Sequence, residues 1–229
     1  DRIVMFRALG NEGCAARGLH ACFMPRTRMD NIAAKGWHIH QSLLDRSGRN
    51  LFMPEPGRNM TSEAGAWLAG LLEHAEAASL LLAPTVNGYK RYQPYQLAPN
   101  RIAWGRDNRG ALLRALWAPG DAASRIENRA PDSSASPHFA FAAQLVAGLD
   151  GLSRGLSAPE PTETPYDDHA RHLPDNLGAA IEAFSESPPF RAALGDGFVE
   201  YLTTLKRHEW SRSLSAISEW EQAEYFNLL

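Results

Sequence analysis

Apolar positions recur at helical spacing over residues 1–17, through Ile3 and Phe6, and Gly18 stands where such a helix stops. Residues 19–25 and 36–43 read as strands. Thr61 or Ser62 is placed to cap one long helix running to about Leu82, with Pro84 beyond its end. Three short strand candidates follow at 101–106, 111–117 and 124–130, separated by Gly and Pro turns. Pro137 opens a helix through Leu149, and Gly151 is expected to end it. Residues 153–175, rich in Pro, Asp and Glu, read as loop. Amphipathic helices are predicted over about 176–186, 190–210 and 215–227. With strands confined to the first 130 residues, the pattern predicts an α/β or α+β fold with no internal repeat.

Composition narrows the picture. The chain has 229 residues, 44% of them hydrophobic and 21% charged, with 23 Lys+Arg against 26 Asp+Glu. That excludes a disordered acidic tail and a polycationic nucleic-acid binder, and it allows a sizeable core. Apolar sequence near 68–83 is broken by Glu73, His74 and Glu76, so no membrane span is expected. Cys14 and Cys22 are too few for a disulfide framework or a four-thiolate zinc site, and are expected to be reduced, buried thiols of a cytoplasmic protein. The net charge of −3 conceals an uneven layout. Residues 90–129 carry eight basic and three acidic side chains, whereas 151–229 carry six and thirteen. Seven of those eight cations are arginine, whose fixed fork of donors suits phosphate and carboxylate.

Two short stretches carry candidate chemistry. In Gly36-Trp37-His38-Ile39-His40-Gln41-Ser42-Leu43, a strand period of two puts His38, His40 and Ser42 on one face and Trp37, Ile39 and Gln41 on the other. Two imidazoles beside a hydroxyl fit a metal or phosphate site, or else a solvent-facing strand edge. In Arg125-Ile126-Glu127-Asn128-Arg129, the same period aligns Arg125, Glu127 and Arg129. A carboxylate between two guanidiniums stays ionised, as part of an ion-pair ladder or as a metal ligand with anion-binding neighbours. Turn-rich segments around Asn87-Gly88 and Asn108-Arg109 add further arginines near a binding loop. A divalent metal near an arginine-lined anion site is the equipment of phosphoryl transfer.

Taken in order, these segments resemble the glutamine synthetase family. The blocks are collinear from about Phe23-Met24-Pro25 to Gly151. They include residues 36–43, Asn50-Leu51-Phe52, Ala69-Gly70-Leu71-Leu72, Pro84 to Arg91, Ala98-Pro99, Asn108-Arg109, Arg125 to Arg129, and Ala147 to Gly151. Residues 219–226 resemble the endings of amine-ligase members. The resemblance implies an α+β catalytic domain with a curved, mostly antiparallel sheet and flanking helices. It implies that residues 1–229 are the C-terminal portion of that domain, with Asp1 a cut end and an N-terminal β-grasp domain and the first catalytic half absent.

It also implies roles. His38 and Glu127 would be metal ligands, and His40, Ser42, Arg109, Arg114 and Arg125 would contact ATP. Arg91 and Arg129 would hold glutamate, with Arg109 and Arg129 at the transferring phosphoryl group. ATP and Mg²⁺ or Mn²⁺ are the implied cofactors, and glutamate and ammonia or an amine the implied substrates. A homo-oligomeric ring is the implied assembly. Departures from the family pattern sharpen these expectations. Ala34-Lys35-Gly36 replaces a Gly-Ser-Gly, and Ala122 stands at a nucleotide-contacting lysine. Leu97 stands where ammonia-using members carry a flap glutamate. Leucine neither attracts ammonium nor accepts its proton, which favours a larger alkyl, aryl or polyamine acceptor. The alternative is a catalytically inactive fragment that binds nucleotide or serves as an interaction module.

Overall fold

The computed structural model describes residues 1–95, 97–166 and 169–228. Helix α1 (Arg2–Ala15) lies at one edge and buries none of its residues. Four short strands follow the predicted segments but are shorter: β1 (Ile39–Gln41), β2 (Trp104–Arg106), β3 (Leu113–Leu116) and β4 (Arg125–Asn128). They form one sheet in the order β1-β4-β3-β2, antiparallel at β1–β4 and β4–β3 and parallel at β3–β2. The fold is α+β, with a mostly antiparallel sheet and helices beside it, as the resemblance implies. No strand forms over 19–25, because no ladder partner lies alongside among the described residues; Phe23 instead meets Phe6 of α1 edge-on at 6.3 Å.

The predicted helix 61–82 is two helices, α2 (Ser62–Glu73) and α3 (Ala75–Leu82), which meet at His74. Thr61 caps α2 by accepting from the Ala64 amide, at 3.0 Å. The break coincides with the His74 side chain turning to Asp150 at 2.7 Å. Helix α4 (Pro137–Ser153) runs on through Gly151. A Cβ at Gly151 would run into the carbonyl oxygen of Ala66, and one at Gly70 into that of Ala147, so these glycines let α2 and α4 touch backbone to backbone. The residue that ends α4 is Gly155, with φ of 61°, where only glycine sits without strain. The C-terminal half is α5 (Leu177–Ser185), α6 (Pro188–Leu194), α7 (Asp196–Ser215) and α8 (Glu219–Tyr225). The predicted helix 190–210 is thus divided at Gly195.

One face of the sheet supplies Ile39, Leu113, Ala115 and Ile126 to the core, which continues through Trp67, Leu68, Leu71, Ala140, Ala143 and Ala147 of α2 and α4. Farther out, α3, α5 and α7 pack through Leu80, Ile181, Phe184 and Val199. Contrary to expectation, neither cysteine is buried: Cys14 is half-exposed and Cys22 exposed, because both lie on or just after the peripheral α1. None of the described helices is long and apolar enough to cross a membrane.

Candidate active site

The opposite face of the sheet carries the charge. Antiparallel register sets His40 of β1 opposite Glu127 of β4, and Glu127 opposite Arg114 of β3. Side chains in register share a face, so this row crosses three strands. His38, just before β1, joins it. Glu127 is 2% exposed. Its carboxylate lies 2.9 Å from His38 Nδ1 and 3.9 Å from His40 Nε2. It also accepts from Arg129 Nη1 at 2.7 Å and from Arg114 Nη1 at 3.0 Å. Burial alone would raise the pKa of Glu127; the His38 hydrogen bond, the Arg129 charge and the Arg114 hydrogen bond outweigh it and hold the group down to about 2. A buried carboxylate is therefore ionised because cations surround it.

The cations are held in turn. Arg129 is buried, which lowers its pKa, while Glu127 opposes that shift. Its Nη2 donates to the Leu97 carbonyl at 3.1 Å. Arg91 is buried too, and its Nη1 and Nη2 donate to the carbonyls of Arg129, Ala130 and Pro131. In this structure Arg91 braces the chain leaving β4 rather than facing an open site. Arg114 donates through Nε to Asp107 at 2.8 Å. Arg125 donates through Nε to His40 Nδ1 at 3.1 Å. Desolvation lowers the pKa of His40, Glu127 opposes the shift, and Arg125 adds to it.

Other predicted residues stand apart. Arg109 is exposed on the turn between β2 and β3, with no side-chain partner among the described residues. Ser42 is exposed just beyond β1. Leu97 is 59% exposed with φ of 54°, and its flank includes Tyr95, whose ring packs at a tilt against Tyr166 with centroids 5.0 Å apart. Lys35, the added cation before His38, donates to the Met24 carbonyl at 3.1 Å. Ala122 contributes its carbonyl to Asn50.

Sequence reasoning missed two features. A cavity of about 460 Å³ opens where Arg125 leaves the sheet, lined also by Arg58, Arg106 and Trp117. Arg58 lies far from the cationic stretch in sequence, so nothing in the spacing links it to Arg125. Beneath the sheet, Gln41 and Asn128 both donate to one amide oxygen of Gln144. The visible signal was Gln41, a polar residue on a face otherwise given to the core.

Cation binding is testable on this geometry. His38 Nδ1 and the nearer Glu127 oxygen are 2.9 Å apart, which suits two adjacent ligands of an octahedral ion whose bonds are about 2.1 Å. An ionised carboxylate and an imidazole suit Mn²⁺ as well as Mg²⁺, with phosphate oxygens and water completing the shell. The residues fit such an ion once Arg129 Nη1, which lies 2.7 Å from the same Glu127 oxygen and 3.3 Å from His38 Nδ1, swings toward a phosphate. A second cluster, Glu73, His74 and Asp150, joins α2 to α4 but is already bound by Arg154, which reaches Glu73 at 2.6 Å and Asp150 at 2.9 Å.

The model of the glutamine synthetase catalytic domain matches residues 1–225. The chain belongs to the glutamine synthetase family. It is 40% identical to a γ-glutamylanilide synthase from an Acinetobacter species over 100% of this chain and 49% of that protein. It is 37% identical to the glutamine synthetase of Halobacterium salinarum, over 98% of this chain and 51% of the relative. The solved GmaS/ADP complex superposes with a TM-score of 0.87 at 29% identity, covering 99% of this chain and 54% of that one. The ligand-free GmaS structure gives a TM-score of 0.86 at 30% identity, covering 99% and 52%. The chain thus spans about half the length of the curated relatives it matches.

Proposed function

We propose that these residues carry the nucleotide- and phosphate-facing part of a glutamine synthetase-type ligase, which joins an amine to the γ-carboxylate of glutamate at the expense of ATP. The observation that carries this reading is Glu127, buried and ionised on the sheet face beside His38, between Arg114 and Arg129. In the first step, a γ-carboxylate oxygen of glutamate attacks the terminal phosphorus of ATP, the bond to the bridging oxygen breaks, and ADP leaves. In the second, the amine attacks the acyl carbon of the γ-glutamyl phosphate, the C–O bond breaks with loss of phosphate, and the nitrogen gives up a proton.

Arg129 and Arg109 are assigned to the oxygens of the transferring phosphoryl group, where negative charge accumulates. Arg114 has a phosphate role, and Arg91 secures the backbone that presents Arg129. His40, Ser42, Arg125 and the adjoining cavity are assigned to the nucleotide; that a related structure is a GmaS/ADP complex supports nucleotide use by the fold. His38 and Glu127 would hold Mg²⁺ or Mn²⁺, which when bound neutralises phosphate charge as a Lewis acid. Metal-binding glutamates from the first half of the catalytic domain, a β-grasp domain and a homo-oligomeric ring, with a cytoplasmic location, complete the proposal for a full-length protein containing these residues.

A larger, apolar amine is favoured over ammonia as the acceptor. Leu97 presents a hydrocarbon side chain to solvent on the same turn whose carbonyl engages Arg129, and a relative at 40% identity is a γ-glutamylanilide synthase. The test is phosphate release by the full-length protein with ATP, Mg²⁺ or Mn²⁺, glutamate, and ammonia, methylamine or aniline in parallel. Formation of the γ-glutamyl amide with one of them, identified by mass, is the expected result. No phosphate release with any amine would end the ligase reading, and ammonia outcompeting the others would end the assignment to Leu97.

A further inference from the structure

Gln144 sits in the middle of α4, is 4% exposed, and faces the back of the sheet in an otherwise apolar layer. Its Oε1 accepts two hydrogen bonds, from Gln41 Nε2 at 2.8 Å and from Asn128 Nδ2 at 2.9 Å. Both partners are donors, so the orientation of the Gln144 amide is determined: turned over, its NH₂ would face two NH₂ groups. Turned this way, its own Nε2 is buried without a partner, which carries a desolvation cost. Gln41 Oε1 accepts from Trp67 Nε1 of α2 at 3.1 Å, and Asn128 Oδ1 from the Ala130 amide at 3.0 Å.

The two donors adjoin the candidate site residues in sequence. Gln41 follows His40 and Asn128 follows Glu127, on the two strands whose pairing sets His40 opposite Glu127. A one-residue slip of β1 against β4 would turn Gln41 to the front face, take its amide away from Gln144 and withdraw the histidines from Glu127. Burial of Ile39 and Ile126 opposes the same slip, and the Gln144 oxygen adds a directed constraint on the strand spacing that apolar contacts do not supply. We propose that Gln144 is a positioning residue: by holding Gln41 and Asn128 on one oxygen it sets the register of β1 against β4, and so the spacing of His38 and Glu127 as cation ligands. The ligand part rests on the functional reading above; the register part does not.

The test uses the full-length protein. In the absence of metal, Gln144→Leu should speed amide hydrogen exchange in β1 and β4 by about tenfold or more relative to β2 and β3, while Gln144→Glu, which keeps an acceptor oxygen for both donors, stays closer to wild type. Mn²⁺ binding, followed by electron paramagnetic resonance, should weaken about 10- to 100-fold in Gln144→Leu, the range for lost support behind a metal ligand. Ile181→Val, a buried change in α5, should leave Mn²⁺ affinity unaltered. Gln41→Met, which cuts one of the two links, should act in the same direction and covers the case in which Gln144→Leu does not fold. Exchange that rises evenly across the sheet, or not at all, would overturn the register role. Wild-type Mn²⁺ affinity that depends on Glu127 yet is unchanged in both link-cutting variants would overturn the positioning role. Wild-type affinity that does not depend on Glu127 would instead overturn the assignment of the ligands, with exchange still deciding the register.

Discussion

Glu127 and Asp150 are each met by an imidazole and by guanidinium, yet their surroundings differ in balance. Asp150 lies on α4, accepts from Arg154 one turn along the same helix, and meets His74 from the neighbouring helix. Glu73 shares Arg154, so two carboxylates face one arginine and one histidine. With two carboxylates sharing one guanidinium there is no cationic surplus, and the group ties α2 to α4. Glu127 is approached from three stretches of chain by two histidines and two arginines, with Asp107 engaged only on Arg114 and with Arg125 and Arg109 on adjoining segments. Cationic charge is in surplus there. What separates a candidate site from a tether is the imbalance, because a surplus of fixed cations favours an anionic ligand.

The sharpest way to break this contrast is to remove each carboxylate. Glu127→Ala is expected to weaken Mn²⁺ binding about 100-fold or more, beyond the effect of losing supporting groups alone, whereas Asp150→Ala should leave it within about twofold. Equal effects in a Mn²⁺ titration would reduce the Glu127 cluster to an ion-pair ladder. Arg129→Ala should lower kcat about 10²–10³-fold, the loss seen when one donor to a developing negative charge is removed, with the protein still folded by circular dichroism. An intact kcat would leave Arg129 as packing.

Acid separates the two clusters next. The pKa of Glu127 is depressed from 4.5 to about 2, so the folded state binds its proton more weakly than the unfolded chain does. Its contribution is therefore present above about pH 4.5 and lost as pH falls towards 2. The pKa of Asp150 is lowered as well: burial opposes the shift, and hydrogen bonds from His74 and Arg154 prevail. Stability measured by urea unfolding should fall over that acid range, and Glu127→Gln should flatten the fall more than Asp150→Asn does. At neutral pH, Asp150→Asn should cost about 1–2 kcal/mol by weakening charged hydrogen bonds at a half-exposed group. The smallest effect is expected at Glu221, whose side chain caps α8 by accepting from the Ser218 amide at 2.7 Å. Glu221→Ala should loosen that turn slightly and leave Mn²⁺ affinity unchanged.

The candidate site was legible wherever alternation alone decides the outcome. His38, His40 and Glu127 share a face because a strand's period is two, and Arg114 joins them once β3 and β4 pair. Arg91 was legible as a cation but not in its orientation: whether its fork meets a ligand or the carbonyls of residues 129–131 depends on how the chain leaves β4. Gln144 was hidden because its partner Gln41 is 103 residues away. Gly151 misled for a related reason. A glycine at a predicted helix end reads as a stop, and only the approach of α2 reveals it as a contact. The helix expected across His74 is divided at that residue, and its contact with Asp150, 76 residues away, has no local signal.

The crossing of α2 and α4 has a consequence for mutational libraries. At Gly70 and Gly151 the hindrance begins with the first carbon of any side chain, and the atoms in the way belong to the opposite backbone. Alanine, usually the gentlest probe, is here already a severe one, and no graded series leads from tolerated to forbidden. A scan scored by abundance should therefore show both positions as blank columns, independent of codon and of the size of the replacement.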